Sequence, residues 1–86
     1  MASYRVELTR SAEKDLRRID RFRVASLYEA IERLGDDPRP HGSKKLLGAD
    51  RTYRIRVGDY RIVYEIEDEV LVVLVIRVAH RREAYR

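Results

Sequence analysis

The residues best suited to chemistry in this sequence are arginines at alternating positions. Arg54 and Arg56 stand two apart, Arg61 follows across Val57-Gly58-Asp59-Tyr60, and the terminal run His80-Arg81-Arg82-Glu83-Ala84-Tyr85-Arg86 sets an imidazole, guanidiniums and a phenol side by side. A guanidinium keeps its charge and offers a planar fork of donors matched to phosphate oxygens, so a polyanionic ligand is the natural counterpart. Metal-free cleavage of an RNA phosphodiester needs a base for the 2′-hydroxyl, positive charge for the pentavalent phosphorane and an acid for the departing 5′-oxygen. An imidazole is the side chain that ordinarily exchanges protons near neutrality, which makes His80 the candidate base. Arg54, Arg56 and Arg61 are the candidate phosphate holders, and Arg81 is a stabiliser able to donate a proton in a suitable pocket. Tyr85 is placed to stack on a base or to hydrogen-bond to the 2′-hydroxyl.

Composition narrows the alternatives. The chain has no cysteine and two histidines, His41 and His80, so disulfides and thiolate or all-histidine zinc sites are excluded and no metal or other cofactor is expected. The apolar run 70–76 falls far short of the roughly 20 residues that span a bilayer, and no signal peptide is evident, so a cytoplasmic protein without membrane contact is expected. With 86 residues there is room for one domain, 1–86. A domain of this size buries only about 60% of its unfolded surface, which leaves scope for stabilisation by a partner. The net charge of +4 conceals a segregated pattern: residues 1–37 are neutral, 38–61 carry +5, 62–76 carry −4 and 77–86 carry +3.

Elements must bring these groups together. Tyr4, Val6 and Leu8 alternate with polar residues as a first strand, and Ser11 is a candidate N-cap for a helix with Ala12, Leu16 and Ile19 on one side. Asp20 caps a second helix whose stripe is Val24, Leu27, Tyr28, Ile31 and Leu34, ending near Gly35 and the Asp37-Pro38 break. Residues 36–43 read as loop and 44–50 as a basic approach to the sheet.

From Thr52 the period becomes two, and Gly58-Asp59 suits a II′ hairpin turn. That turn pairs Val57 with Tyr60, Ile55 with Ile62 and Tyr53 with Tyr64 on an apolar face, and Arg56 with Arg61 on the other, with Arg54 two residues along. Residues 70–78 are apolar on both faces, as for an interior strand. A three-residue loop at Glu67, Asp68 and Glu69 would put Arg77, Ala79 and Arg81 on the arginine face, and this is the expected geometry. The architecture that results is α+β, β-α-α-β-β-β, with a helix hairpin on one face of a four-stranded, mainly antiparallel sheet.

Like charges directly across two strands cost up to about 1 kcal/mol, and with Glu67 read as part of the loop, Glu65 is the only carboxylate on the arginine face of its strand. An external anion explains the arrangement better than a structural role. Lys44, Lys45, Arg51, Arg77 and Arg82 complete the expected RNA-binding set, while His41, in a loop bounded by proline and glycine, reads as surface.

Taken in order, the first strand and helix pair, then Tyr53-Arg54-Ile55-Arg56-Val57, Tyr60-Arg61-Ile62-Val63-Tyr64-Glu65 and Val78-Ala79-His80-Arg81-Arg82-Glu83-Ala84-Tyr85-Arg86, the chain resembles RelE toxins over essentially its whole length. The resemblance implies a toxin held by a cognate antitoxin protein, which enters the ribosome and cuts messenger RNA in the A site. It further implies that Arg61 binds the phosphate, that Arg81 is the general acid and that Tyr85 orients the nucleophile or stacks on a base. Arg54 and Arg56 occupy positions where well-known members carry lysines, one of them a proposed base. That role then passes to His80 or in part to the ribosome. A ParE-like inhibitor of DNA gyrase, which shares the fold and cuts nothing, is the rival reading.

Overall fold

The fold is given by a computed structural model, which describes residues 3–82. The chain runs β1 (Arg5–Leu8), α1 (Arg10–Arg17), α2 (Arg21–Asp36), β2 (Lys44–Lys45), β3 (Thr52–Val57), β4 (Tyr60–Glu67) and β5 (Val72–His80). The strands form one sheet in the order β1-β5-β4-β3-β2; β1 is parallel to β5 and the other neighbours are antiparallel. Both helices pack on one face. Ala12, Leu16, Leu27, Ile31 and Leu34 meet Ile62, Tyr64, Ile66, Val73, Val75 and Val78 in a single core. No helix among the described residues is long and apolar enough to cross a membrane.

The sheet has five strands where four were expected. The fifth, β2, is a two-residue pairing of Lys44 with Arg54 and Lys45 with Tyr53, too short to show any period in the sequence. The α1 cap is Thr9 and not Ser11: Thr9 Oγ1 accepts from the Ala12 amide at 3.1 Å while donating to the Ile76 carbonyl at 2.7 Å. Ser11 lies one residue inside the helix, exposed. The cap that won is the one with two partners.

Asp20 caps α2 as expected, accepting from the Phe22 amide at 2.9 Å. Of the apolar stripe, Leu27, Ile31 and Leu34 are buried and Val24 packs beside them, whereas Tyr28 stays 45% exposed. Gly35 does not end the helix, which continues to Asp36. It lets β1 approach: Tyr4 N donates to Gly35 O at 2.7 Å, and a Cβ there would stand 2.9 Å from Tyr4 O.

The β4–β5 connection corrects another expectation. Glu67 pairs with Val72 across four turn residues, 68–71, so Val70 belongs to the turn and not to the strand. An even loop gives the wrong parity for the arginine face. The register then skips Ile76, passing from Tyr64↔Val75 to Val63↔Arg77, and this β-bulge restores Arg61↔Ala79. The expected face is reached by a bulge and not by the loop.

Candidate phosphate-binding site

The hairpin follows the register read from sequence, with Val57↔Tyr60, Ile55↔Ile62, Tyr53↔Tyr64 and Arg56↔Arg61. Gly58 supplies the positive φ, 59°, that the turn demands, and Asp59 does not share it, as in a II′ turn. Because side chains alternate along strands, Arg54, Arg56 and Arg61 project from the face away from the helices. β2 adds Lys44 directly beside Arg54.

Lys44, Arg54, Arg56 and Arg61, with Gly42 and Ile55, line one depression of about 220 Å³. That is several times the roughly 30 Å³ share of a water molecule, enough for a phosphodiester and part of a ribose. None of the described residues that line it is a carboxylate. Arg56 Nε donates to Gly58 O at 3.1 Å, which ties one guanidinium to the turn. Across the strand from Arg61 stands Ala79, whose small side chain keeps that approach open. The Arg81 amide donates to Asp59 O at 2.6 Å, extending the β4–β5 pairing by one step and giving Arg81 the parity of Ala79 and Arg61. The Arg81 side chain is exposed and is not among the residues that line the depression.

Other expected members are placed elsewhere. His80 pairs with Tyr60, on the helix side of the sheet, with ring centroids 5.3 Å apart and an interplanar angle of 86°. Its Nδ1 accepts from the Arg82 amide at 3.3 Å. The register thus separates the imidazole from the arginines, since residues 79 and 81 on one face leave 80 for the other. Lys45 pairs with Tyr53 and shares that residue's face, opposite Lys44. Arg77 is held in a two-point bond by Asp15, at 2.9 and 3.2 Å. Arg82 is exposed next to His80. Tyr85 lies outside the described residues.

Arg51 lines a different cavity, of about 300 Å³, with Arg39, Asp50, Tyr53, Ile66, Glu67, Asp68, Glu69 and Val70. Sequence reasoning passed over Arg39, which anchors this end. Its Nη1 and Nη2 donate to the two Asp68 oxygens at 3.3 and 2.8 Å, and its Nε donates to Tyr53 Oη at 3.2 Å. The guanidinium carbon stands 5.3 Å from the Tyr53 ring centroid. Tyr4 Oη donates to Asp68 at 2.6 Å. The bonds from Arg39 and Tyr4 hold the Asp68 carboxyl below its ordinary range, and the same bond to Asp68 raises the Tyr4 phenol. Tyr64, stacked on Tyr53, donates to Pro38 O at 2.8 Å, and burial pushes its phenol up to about 12. A lone arginine between two prolines was the only sequence signal for this cluster.

Comparison with known proteins extends the picture. Residues 6–85 match the family described as ParE toxin of type II toxin–antitoxin system, parDE. Toxin RelG of Mycobacterium tuberculosis is 33% identical over 84 residues, covering 96% of this chain and 97% of its own. Putative toxin RelE1 of Methanocaldococcus jannaschii is 28% identical over 86 residues, with 96% of each chain covered. Among solved structures, the M. tuberculosis toxin–antitoxin complex RelBE2 matches with a TM-score of 0.82 at 32% identity over 94% of both chains. The isolated Escherichia coli RelE toxin matches with a TM-score of 0.80 at 30% identity, over 96% of this chain and 92% of that one.

Proposed function

The chain belongs to the RelE/ParE superfamily, as a toxin of a RelBE-type toxin–antitoxin system, and on that premise we propose that it is a ribosome-dependent endoribonuclease cutting messenger RNA in the A site. The observation that carries this reading is the depression in which Lys44, Arg54, Arg56 and Arg61 converge. Four cationic side chains on one small surface offer a polyanion several charge-assisted donors at once.

In this reading the scissile phosphate sits in the depression, with Arg61 and Arg54 on its non-bridging oxygens. Arg56, steadied by Gly58 O, adds charge where the phosphorane forms. The 2′-oxygen attacks phosphorus, the P–O5′ bond breaks, and Arg81 gives a proton to the leaving 5′-oxygen. The products are a 2′,3′-cyclic phosphate and a 5′-hydroxyl. No metal takes part. His80 stands on the other side of the sheet from the phosphate seat, so the ribosome accepts the 2′-hydroxyl proton and His80 shapes the strand end. Tyr85 positions the nucleotide, and Arg82 adds to the field that draws RNA in. The fold matches toxins solved in RelB–RelE complexes, and in this reading a cognate antitoxin silences the toxin in the cytoplasm by covering this basic face.

The test is purified ribosomes programmed with messenger RNA. The expected result is A-site fragments ending in a cyclic phosphate; fragments with a free 3′-hydroxyl would reject the mechanism. The matched family description favours a second reading, a ParE-like inhibitor of DNA gyrase. Loss of gyrase supercoiling with intact messenger RNA would install that reading instead.

A further inference from the structure

β1 stops pairing with β5 at Leu8↔Val75, so from Ile76 onward that side of β5 would present open backbone groups. α1 meets them. Thr9 Oγ1 donates to Ile76 O at 2.7 Å, and Asp15 Oδ2 accepts from the Val78 amide at 2.8 Å. The same carboxylate takes both Nε and Nη2 of Arg77, and its side chain is only 14% exposed against 54% for Arg77. These bonds fall on Ile76, the residue that the β4–β5 register skips, and on the two residues after it.

Two registers compete for the end of β5. Continued without a skip, the ladder would set Ile62 against Arg77 and Arg61 against Val78. Arg77 would then enter the core, and the parity of His80 and Arg82 would replace that of Ala79 and Arg81 on the cationic face. In the bulged register Val78 is buried, 3% exposed, and Arg77 turns out to Asp15. Asp15 bonds to the two residues that directly follow the skip, Arg77 and Val78, and has those partners in this register.

We propose that Asp15 is a positioning residue: from α1 it locks the bulged register of β5 and so presents Ala79 and Arg81 beside Arg61. The catalytic consequence rests on the ribonuclease reading above; the register itself does not.

The experiment compares the full chain with Asp15→Ala and Asp15→Asn by ribosomal cleavage kinetics, amide exchange and cross-strand NMR contacts. Asp15→Ala is expected to lose the Arg61–Ala79 contact, to speed Val78 exchange and to lower kcat by about tenfold or more with KM within about twofold, as misplaced catalytic groups do. Asp15→Asn keeps a carbonyl for the Val78 amide and loses the charge toward Arg77, so its kcat should fall only about threefold, with Val78 exchange intermediate. If Asp15→Ala does not fold, Asp15→Asn decides alone: wild-type exchange at Val78 together with wild-type kcat overturns the lock. So does an Arg61–Ala79 contact that survives in Asp15→Ala. Should the wild-type chain fail to cleave on ribosomes, the ribonuclease reading falls, while the NMR contacts still decide the register.

Discussion

The two ends of the β3–β4 pair use arginine in opposite ways. At the open end, Arg39 spends its fork within the chain, on both oxygens of Asp68 and on the Tyr53 phenol. At the hairpin end, Arg56 faces Arg61 and Lys44 faces Arg54 around a depression lined by all four cations. Residue type does not separate a structural arginine from a functional one. What separates them is the setting: Arg39 is clasped by one carboxylate, whereas the hairpin arginines line a shared basic depression.

The sharpest way to break that contrast is Arg61→Ala. Removing one preorganised charge from a developing anion costs about 10²–10³ in kcat, and because Arg61 is not part of the core the melting temperature should hold. Cleavage on ribosomes and thermal melts of one preparation check both halves. A melting temperature that fell with activity retained would make the hairpin end structural too. The converse substitution, Arg39→Ala, should cost about 1 kcal/mol, the upper range for a partly exposed ion pair, and leave cleavage within about twofold. Activity lost at constant stability would place Arg39 in the functional set. A smaller effect is expected from His80→Ala: the ring packs on Tyr60 away from the arginines, so kcat should change by less than about threefold, well below the loss from one oriented charge. A loss comparable to that of Arg61→Ala would return the imidazole to the reaction.

The hairpin end was legible because its information is local. Gly58-Asp59 specifies the turn, the turn specifies the register, and the register sets Arg56 against Arg61. Beyond the hairpin the reading weakened where long-range packing overrode local pattern. The loop after β4 has four residues, and only the demand to bury Val73, Val75 and Val78 while keeping Arg77 out forces the skip at Ile76. β2 has no period to read, and Thr9 won the cap over Ser11 through a bond to a residue 67 positions away. Arg39 and Asp68 lie 29 positions apart and became partners only once the sheet had folded. The strict alternation that put Ala79 and Arg81 with the arginines already sent His80 the other way, a consequence that spacing alone contained.

The mildest test of the contrast removes only a charge from the open end. Asp68→Asn keeps an oxygen for the Tyr4 phenol and for Arg39 but abolishes ionisation. In the folded chain the Asp68 carboxyl titrates below its ordinary value, because Arg39 and Tyr4 bond to the charged form. A depressed folded value means that the unfolded chain binds the proton first as pH falls. The stabilisation is therefore complete above the ordinary aspartate value of about 3.9 and is lost as pH drops through the lower, folded one. Wild-type protein should melt above Asp68→Asn at pH 7, and the gap should close as pH falls through the depressed folded value. Salt should narrow it as well, since both side chains are about half exposed, 45% for Arg39 and 53% for Asp68. Cleavage at pH 7 should stay unchanged. A melting gap that persisted into acid would mean that shape, and not charge, holds this end together, and the contrast with the hairpin would then rest on packing.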